Sequence, residues 1–335
     1  MILTKVNNNK ITLRQRPEGI VKKEDFDFLT EEVRDIEDGE LLIKVKYISC
    51  DPAMRGWMNE GTTYMPGVKI GEVMRGFAAG EIIESKNSEF KKGHYVTGLL
   101  GVQEYVISDG KGLSYIEQLD SPLSSHLGIL GMPGMTAYFG LLEKGKPEAG
   151  QTVFVSGAAG VVGSTVGQIA KIKGCKVVGT AGSDAKCKYL IDDCRFDAVI
   201  NYKTEDVASR IKELCPDGID VFYDNVGGPL LDTVLTQLAR GARIVICGAI
   251  SQYNKKEIYG PKNYMKIVTA RGCMTGIIVF DYIHEYPKAV KVISQWISEG
   301  KLRYKEDIHH GLDNFPTVLK KLFSGENFGK LIVAI

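Results

Sequence analysis

The sequence has almost no surplus of charge of either sign: 42 Lys and Arg stand against 41 Asp and Glu, a net charge of +1. No global field draws such a chain to nucleic acid or to an acidic membrane surface, so neither is expected as a partner. It has no run approaching about 18 apolar residues, the length of a membrane-spanning helix. The opening MILTKVNNNK lacks the apolar core and small-residue cleavage site of a secretory signal, and a cytoplasmic protein is expected. A disulfide framework is missing too. The seven cysteines, at positions 50, 175, 187, 194, 215, 247 and 273, are odd in number and scattered through apolar stretches, as reduced thiols are. Cys187 and Cys194 have no second pair, His94, His126 and His284 have no partners at ligand spacing, and His309-His310 read as a solvated pair in a polar segment, so no metal site is expected. A Gly-x-Ser-x-Gly nucleophile elbow is absent, which removes the serine-hydrolase reading. There are no repeats or low-complexity tracts.

What remains is a globular composition, 44% hydrophobic and 25% charged over 335 residues, enough for about two domains. From Leu41 to about Ile107, short β-rich runs punctuated by glycine predict a compact, largely antiparallel unit. GMPGMTAYFGLL at 131–142 reads as the start of a helix with Thr136 as its cap. From Gln151 the rhythm changes. The runs TVFVSG, CKVVGTA, FDAVINY, GIDVFYDN, ARIVICGAI and CMTGIIVF alternate with helical stretches, the pattern of a doubly wound parallel sheet. A helix is expected around 286–299. The closing KLIVAI is too short to fold alone and should join the β-rich unit. The expected division is 1–127 with 298–335 as the β-rich unit, and 128–297 as the α/β Rossmann-type unit.

The second unit opens on the chemistry. Val153-Phe154-Val155 is a buried-strand run, and Ser156-Gly157-Ala158-Ala159-Gly160-Val161-Val162-Gly163 leads into a helix with Val162, Val166, Ile169 and Ala170 on its buried face. Gly157 permits the tight turn, Gly160 lets backbone approach a pyrophosphate, and Gly163 lets helix and sheet pack closely. The helix start then offers free N–H groups and a positive end to phosphate. A tight strand–helix connection without ligand has the same spacing. The next strand ends in Val178-Gly179-Thr180-Ala181-Gly182-Ser183, without the carboxylate that holds ribose hydroxyls in NAD enzymes. Asp184 follows, flanked by Lys186 and Lys188, whose charge suits a 2′-phosphate, so NADP(H) is the expected cofactor.

Several motifs, in order along most of the chain, resemble the zinc-independent medium-chain dehydrogenase/reductases, and within them the leukotriene B4 12-hydroxydehydrogenase or prostaglandin reductase group. They are Asp51-Pro52-Ala53-Met54-Arg55-Gly56, the 131–142 stretch, the glycine loop, Asp224-Asn225-Val226-Gly227-Gly228, Cys247-Gly248-Ala249-Ile250-Ser251 and Gly325-Glu326-Asn327-Phe328-Gly329-Lys330. The resemblance implies a Rossmann domain beside a GroES-like β-rich domain. It also implies roles. Ala159, Gly160, Val161 and Val162 would hold the pyrophosphate; Ser183, Lys186 and Tyr202 would meet the adenosine end. Asn225, Cys247, Gly248, Ala249, Ile250, Ser251 and Tyr253 would line the cofactor. Ile277, Ile278 and Val279 would flank the nicotinamide, with Asn327 reaching it from the tail. Ala53 and Thr269 stand where the mammalian enzymes carry tyrosines, so the wording is nearer a curcumin-reductase-like, bacterial-type branch and leaves the substrate open. The zinc ligands of alcohol-dehydrogenase relatives are replaced: Cys50 keeps the first place, but Met74-Arg75-Gly76 stands for Gly-His-Glu and Gly131-Met132-Pro133 for the third.

Without a Lewis acid, reduction of a double bond already conjugated to a carbonyl needs only hydride, oxyanion stabilisation and a proton. The expected reaction is NADPH-dependent saturation of an α,β-unsaturated ketone or aldehyde. Tyr64, on a Gly- and Pro-flanked loop, is the candidate catalytic hydroxyl. Arg55 and Tyr259 are candidates to shape the substrate site. A quinone reductase of the same superfamily and a non-catalytic NADP-binding protein, sensor or crystallin-like, are the competing readings. The resemblance also implies a homodimer, with CMTGIIV a candidate to pair across a two-fold at the sheet edge, because an exposed apolar edge strand is an aggregation risk unless covered.

Overall fold

A computed structural model describes residues 6–116 and 119–335. It separates into two units, Met1–Leu127 with Glu306–Ile335, and Gly128–Lys305. The return to the first unit was expected at 298 and comes at 306. The helix Tyr286–Ser298 ends close to expectation. The segment after it stays with the second unit, because Leu302 is buried in that core and Arg303 exchanges backbone hydrogen bonds with the Gln168 side chain at 2.7 and 2.8 Å.

In the second unit, β1 (Thr152–Val155), β2 (Lys176–Ala181), β3 (Ala198–Asn201), β4 (Ile219–Asp224), β5 (Leu238–Ile246) and β6 (Cys273–Gly276) form one parallel sheet. The strand order is β3-β2-β1-β4-β5-β6, so the order reverses between β1 and β4, where a doubly wound sheet binds its ligand beyond the strand ends. Alternate residues serve two cores. Val153, Val155, Val177, Val221, Tyr223 and Val245 face one helical layer, and Phe154, Val178, Ile200, Phe222 and Ile244 face the other. Burial on both sides explains why these strands read as continuous apolar runs rather than alternating ones. The helix α1 (Val161–Ile172) buries Val166, Ile169 and Ala170 completely; Val162 is only half-buried.

Two boundaries differ from expectation. β6 stops at Gly276, and IIVF turns away into a 3-10 helix, Val279–Glu285. The early helix runs Met132–Phe139 with Gly131 as its N-cap, so Thr136 lies inside it. Pro133 sets the backbone for the first turn, and the Thr136 hydroxyl bonds back to the Met132 carbonyl at 2.8 Å instead of capping.

In the first unit the strands Leu41–Ser49, Ala78–Ser85, Tyr95–Gly98 and Ser114–Ile116 pair antiparallel in that order. The other side of Leu41–Ser49 is shared: Tyr105–Ser108 pairs with Leu41–Lys44, the carboxy-terminal strand Lys330–Ala334 pairs with its far end, with Val333 opposite Ile48, and Glu306–His310 adds in parallel beyond it. All five residues of Lys330–Ala334 are buried. A short helix, Ala53–Trp57, drops Met54 and Trp57 into the core below that sheet.

Candidate functional site

The turn from β1 into α1 is built from backbone. Gly157 has φ +58°, a conformation L side chains rarely adopt. A Cβ on Gly163 would lie 2.5 Å from the Gly157 carbonyl oxygen and 2.7 Å from the Ala158 Cα, so helix and loop touch there as expected. Gly160 is the N-cap, with neither a side-chain cap nor an acidic residue in the first turn. The first amides of a helix have no intrahelical acceptor. At Gly160 a Cβ would meet only the Gly157 carbonyl, at 3.5 Å, which leaves room for a ligand's backbone approach. A helix of 12 residues carries a full dipole to this point.

The loop is fixed by residues that the sequence reading quoted but gave no role. Ser156 donates its hydroxyl to Asp224 at 2.7 Å and accepts the Asn225 amide at 2.8 Å. Asp224, fully buried at the end of β4, also accepts from the Val226 and Gly227 amides. Burial pushes this carboxyl upward, and those donors oppose the push. The Asn225 side-chain amide donates to the Ser156 carbonyl at 2.8 Å, so Asn225 acts here as a brace between the β1 and β4 loops. A Ser at the end of one strand and an Asp at the end of its topological neighbour was the available signal; the pairing of those strands is what makes it legible.

At the far end, Ser183 caps α2 (Asp184–Asp192) by accepting the Lys186 amide at 3.3 Å. Asp184 accepts from the Asn201 side chain at 2.7 Å. Lys188, largely exposed, pairs with Asp192 at 2.6 Å along the helix. Tyr202, just past β3, is 46% exposed, and a Cβ on Gly182 would lie 2.6 Å from its hydroxyl. Tyr202 and Gly182 therefore sit together at the carboxyl ends of β2 and β3, and Lys186 follows in the first turn of α2.

The loops after β4 and β5 interlock. Cys247 and Gly248 donate amides to the Asp224 carbonyl, Ile250 to Asn225, and Ser251 donates its amide and hydroxyl to Val226. The Tyr253 hydroxyl accepts the Ala249 amide at 3.0 Å. The Cys247 thiol is pushed up to about 12 by burial and stays protonated. Ile277 and Val279 are buried and Ile278 is 38% exposed just beyond β6. Tyr259 departs from expectation. Its hydroxyl donates to Asp232 at 2.9 Å, which anchors the 252–263 loop and occupies the group that a substrate would need. Thr269 lies exposed on a helix, its hydroxyl bonded to the Lys266 carbonyl.

In the first unit, Tyr64 stands at the tip of a loop, 46% exposed. Arg55, expected at the substrate, is instead 5% exposed and spread over the Gly19 and Pro17 carbonyls and the Asn59 side chain. It pins the 17–19 segment to the Ala53–Trp57 helix. Asn327 donates to the Gly329 carbonyl at 3.3 Å in the turn before the last strand. Lys330 and Asp51, both 3% exposed, form an ion pair at 2.8 Å, and Lys330 also donates to the Cys50 carbonyl. Cys50 is a buried thiol whose pKa burial raises strongly. Among the described residues, no three His, Cys, Asp or Glu side chains group so as to hold a metal ion, and no helix is long and apolar enough to cross a membrane.

Residues 9–116 match the family described as the N-terminal domain of oxidoreductase, and residues 161–295 the one described as zinc-binding dehydrogenase. The chain is 42% identical to the NADP(+)-dependent 2-alkenal reductase of Nicotiana tabacum, over 98% of both chains. It is 38% identical to the NADPH-dependent curcumin reductase of Escherichia coli, over 99% of this chain and 98% of that one. The crystal structure of Vibrio vulnificus CurA in complex with NADPH superposes with a TM-score of 0.93 at 40% identity, covering 97% of this chain and 98% of that one. Identity at this level over the whole length, on a 3-2-1-4-5-6 sheet with an uncapped glycine turn, places the chain in the zinc-independent medium-chain dehydrogenase/reductase family, among the curcumin- and prostaglandin-reductase type.

Proposed function

We propose that this protein uses NADPH to reduce the carbon–carbon double bond of α,β-unsaturated ketones and aldehydes, without zinc. The observation that carries the cofactor is the pairing of an uncapped helix start at Gly160 with a β2 end that has Lys186 and Tyr202 and no free carboxylate. The backbone amides at 161–163 bind the pyrophosphate, and Lys186 with Tyr202 binds the 2′-phosphate. The 247–251 loop and Ile277 to Val279 shape the nicotinamide site. NADPH, when bound, supplies the hydride that goes to the β-carbon. The Tyr64 hydroxyl orients the carbonyl, stabilises the charge that develops on its oxygen, and serves the proton that ends on the α-carbon. Reduction by named relatives, one an alkenal reductase and one a curcumin reductase, supports the substrate class.

The test is NADPH consumption over linear enones, enals and quinones, with NADH as control. Enone and enal turnover with NADPH is expected. Turnover of quinones alone would replace this reading by quinone reduction, and binding without any turnover by a non-catalytic role.

A homodimer and a cytoplasmic location complete the proposal. β6 is the sheet edge, and Tyr264, Met265 and Val268 are 58%, 56% and 64% exposed on the helix before it. A second copy pairing there would cover both. Cys273, on that edge, is the exposed thiol among the described cysteines. Slow alkylation of Cys273 and sedimentation as a dimer are expected; a monomer that alkylates rapidly would reject the dimer.

A further inference from the structure

We propose that Arg75 is a positioning residue that sets where the Tyr64 hydroxyl stands, taking up the place of the lost ligand histidine with a new task. This rests on Tyr64 being the substrate-facing hydroxyl of the reaction proposed above.

The Tyr64 loop closes on itself. Gly61 turns with φ +95°, the Thr63 amide donates to the Met65 carbonyl, and the Gly67 amide donates to the Gly61 carbonyl at 2.9 Å. Thr62 and Pro66 form a β-bridge across the tip. A Cβ at Gly67 would lie 2.4 Å from the Asn59 carbonyl oxygen, so the base of the loop is drawn in tightly. Such internal bonds fix the loop's shape but not its direction. Direction needs a strut from outside the loop.

Arg75 is that strut. Its guanidinium donates to the Pro66 carbonyl at 2.6 Å, two residues beyond Tyr64, and lies 5.8 Å from the Trp57 ring centre. Both ends are firm. Trp57 is 2% exposed in the core. The backbone on either side of Arg75 is clamped: Met74 donates to Ile11 and accepts from Val102, and Gly76 accepts from Gly101. A charged group that hydrogen-bonds one limb of a loop while lying over a fixed indole holds that limb at a set distance. Arg16 holds the loop's base differently, through the Met58 and Val68 carbonyls, and does not reach the tip. The chemistry at position 75 thus differs from a ligand's: the residue touches neither substrate nor cofactor and acts through Tyr64.

The experiment measures kcat, KM and NADPH affinity with one linear enone for wild type, Arg75→Ala, Arg75→Lys, Tyr64→Phe and the Arg75→Ala/Tyr64→Phe double variant, with melting temperatures for each. The expected result is about a tenfold loss of kcat/KM in Arg75→Ala, unchanged NADPH affinity, and partial recovery in Arg75→Lys, which restores the hydrogen bond without the planar guanidinium. In the Tyr64→Phe background the Arg75→Ala change should add no further loss, because the group being positioned has gone. Equal losses in both backgrounds, or wild-type kinetics in Arg75→Ala, would overturn the proposal. Tyr64→Phe with full activity, in a protein that does reduce enones, sinks this proposal and the Tyr64 step with it, and leaves NADPH-dependent enone reduction standing. A wild-type protein that turns over no enone sinks it together with the functional reading.

Discussion

Replacing Lys330 by methionine removes one half of an ion pair from which water is almost absent. Lys330 and Asp51 are each 3% exposed and 2.8 Å apart, and the ammonium also serves the Cys50 carbonyl. The Ser49 hydroxyl donates to the other oxygen of Asp51. Methionine fills similar space but leaves the Asp51 carboxylate buried with a hydroxyl as its main remaining partner. Removing one partner of such a pair costs about 3–5 kcal/mol, whereas replacing both by apolar residues is neutral or stabilising. Lys330→Met should therefore lose about 3–5 kcal/mol, and Lys330→Met/Asp51→Leu should recover most of it. The assay can be confined to the right unit, because the two tryptophans divide between the units: Trp57 in the first, Trp296 in the second. In a Trp296→Phe background, urea unfolding followed by Trp57 fluorescence reports the unit that holds the pair. A single-variant loss below about 1 kcal/mol, or a double variant as unstable as the single one, would refute the reasoning, since both require that desolvation dominates.

Other outcomes follow from the same geometry. Lys186→Ala should raise the KM for NADPH about 10- to 100-fold and leave that for NADH nearly unchanged, as loss of a charged hydrogen-bond partner predicts; equal effects on both cofactors would place Lys186 elsewhere. Gly163→Val should abolish NADPH binding measured by fluorescence titration, because its Cβ meets backbone at 2.5 Å that has no freedom to yield. Burial lowers the pKa of His126, whose ring lies 3.2 Å from the Ser121 hydroxyl. The unfolded chain then binds the proton first, so this residue costs stability as pH falls below about 6.5 and costs nothing above it. Unfolding compared at pH 5.5 and 7.5 should show a smaller acid loss in His126→Asn than in wild type, and an equal loss would dismiss the effect.

Much of this was legible along the chain because it depends on local pattern. The six apolar runs became six strands, since burial on both faces of a parallel sheet leaves a sequence mark without partners being known. The glycine spacing at 157–163 marked the turn for the same reason: φ at Gly157 and the approach at Gly163 are properties of the backbone itself. Where a side chain chooses among several polar partners, near or far in sequence, the reading failed or was incomplete. Thr136 looked like a cap and bonds back inside a helix. Lys188 was read with Lys186 as positive charge suited to a 2′-phosphate, and its pairing with Asp192 was not read. Arg55 and Tyr259 were expected at the substrate; in the structure the Arg55 guanidinium holds the 17–19 segment and the Tyr259 hydroxyl donates to Asp232, partners that the sequence did not show.

The sequence by itself determined the two-part organisation, the nucleotide-type sheet and the loss of zinc ligands, because each is written in period, spacing or residue type. Only the tertiary structure decided what the replacements do. It brought Lys330 to Asp51 across 279 residues, Ser156 to Asp224 across 68, and Arg75 to the Pro66 carbonyl beneath the Tyr64 loop. The physical reason is common to the two buried pairs, Lys330–Asp51 and Ser156–Asp224. A buried charge or donor is satisfied by whichever acceptor the packed strands bring within about 3 Å, and strand order and register set that, not proximity in sequence.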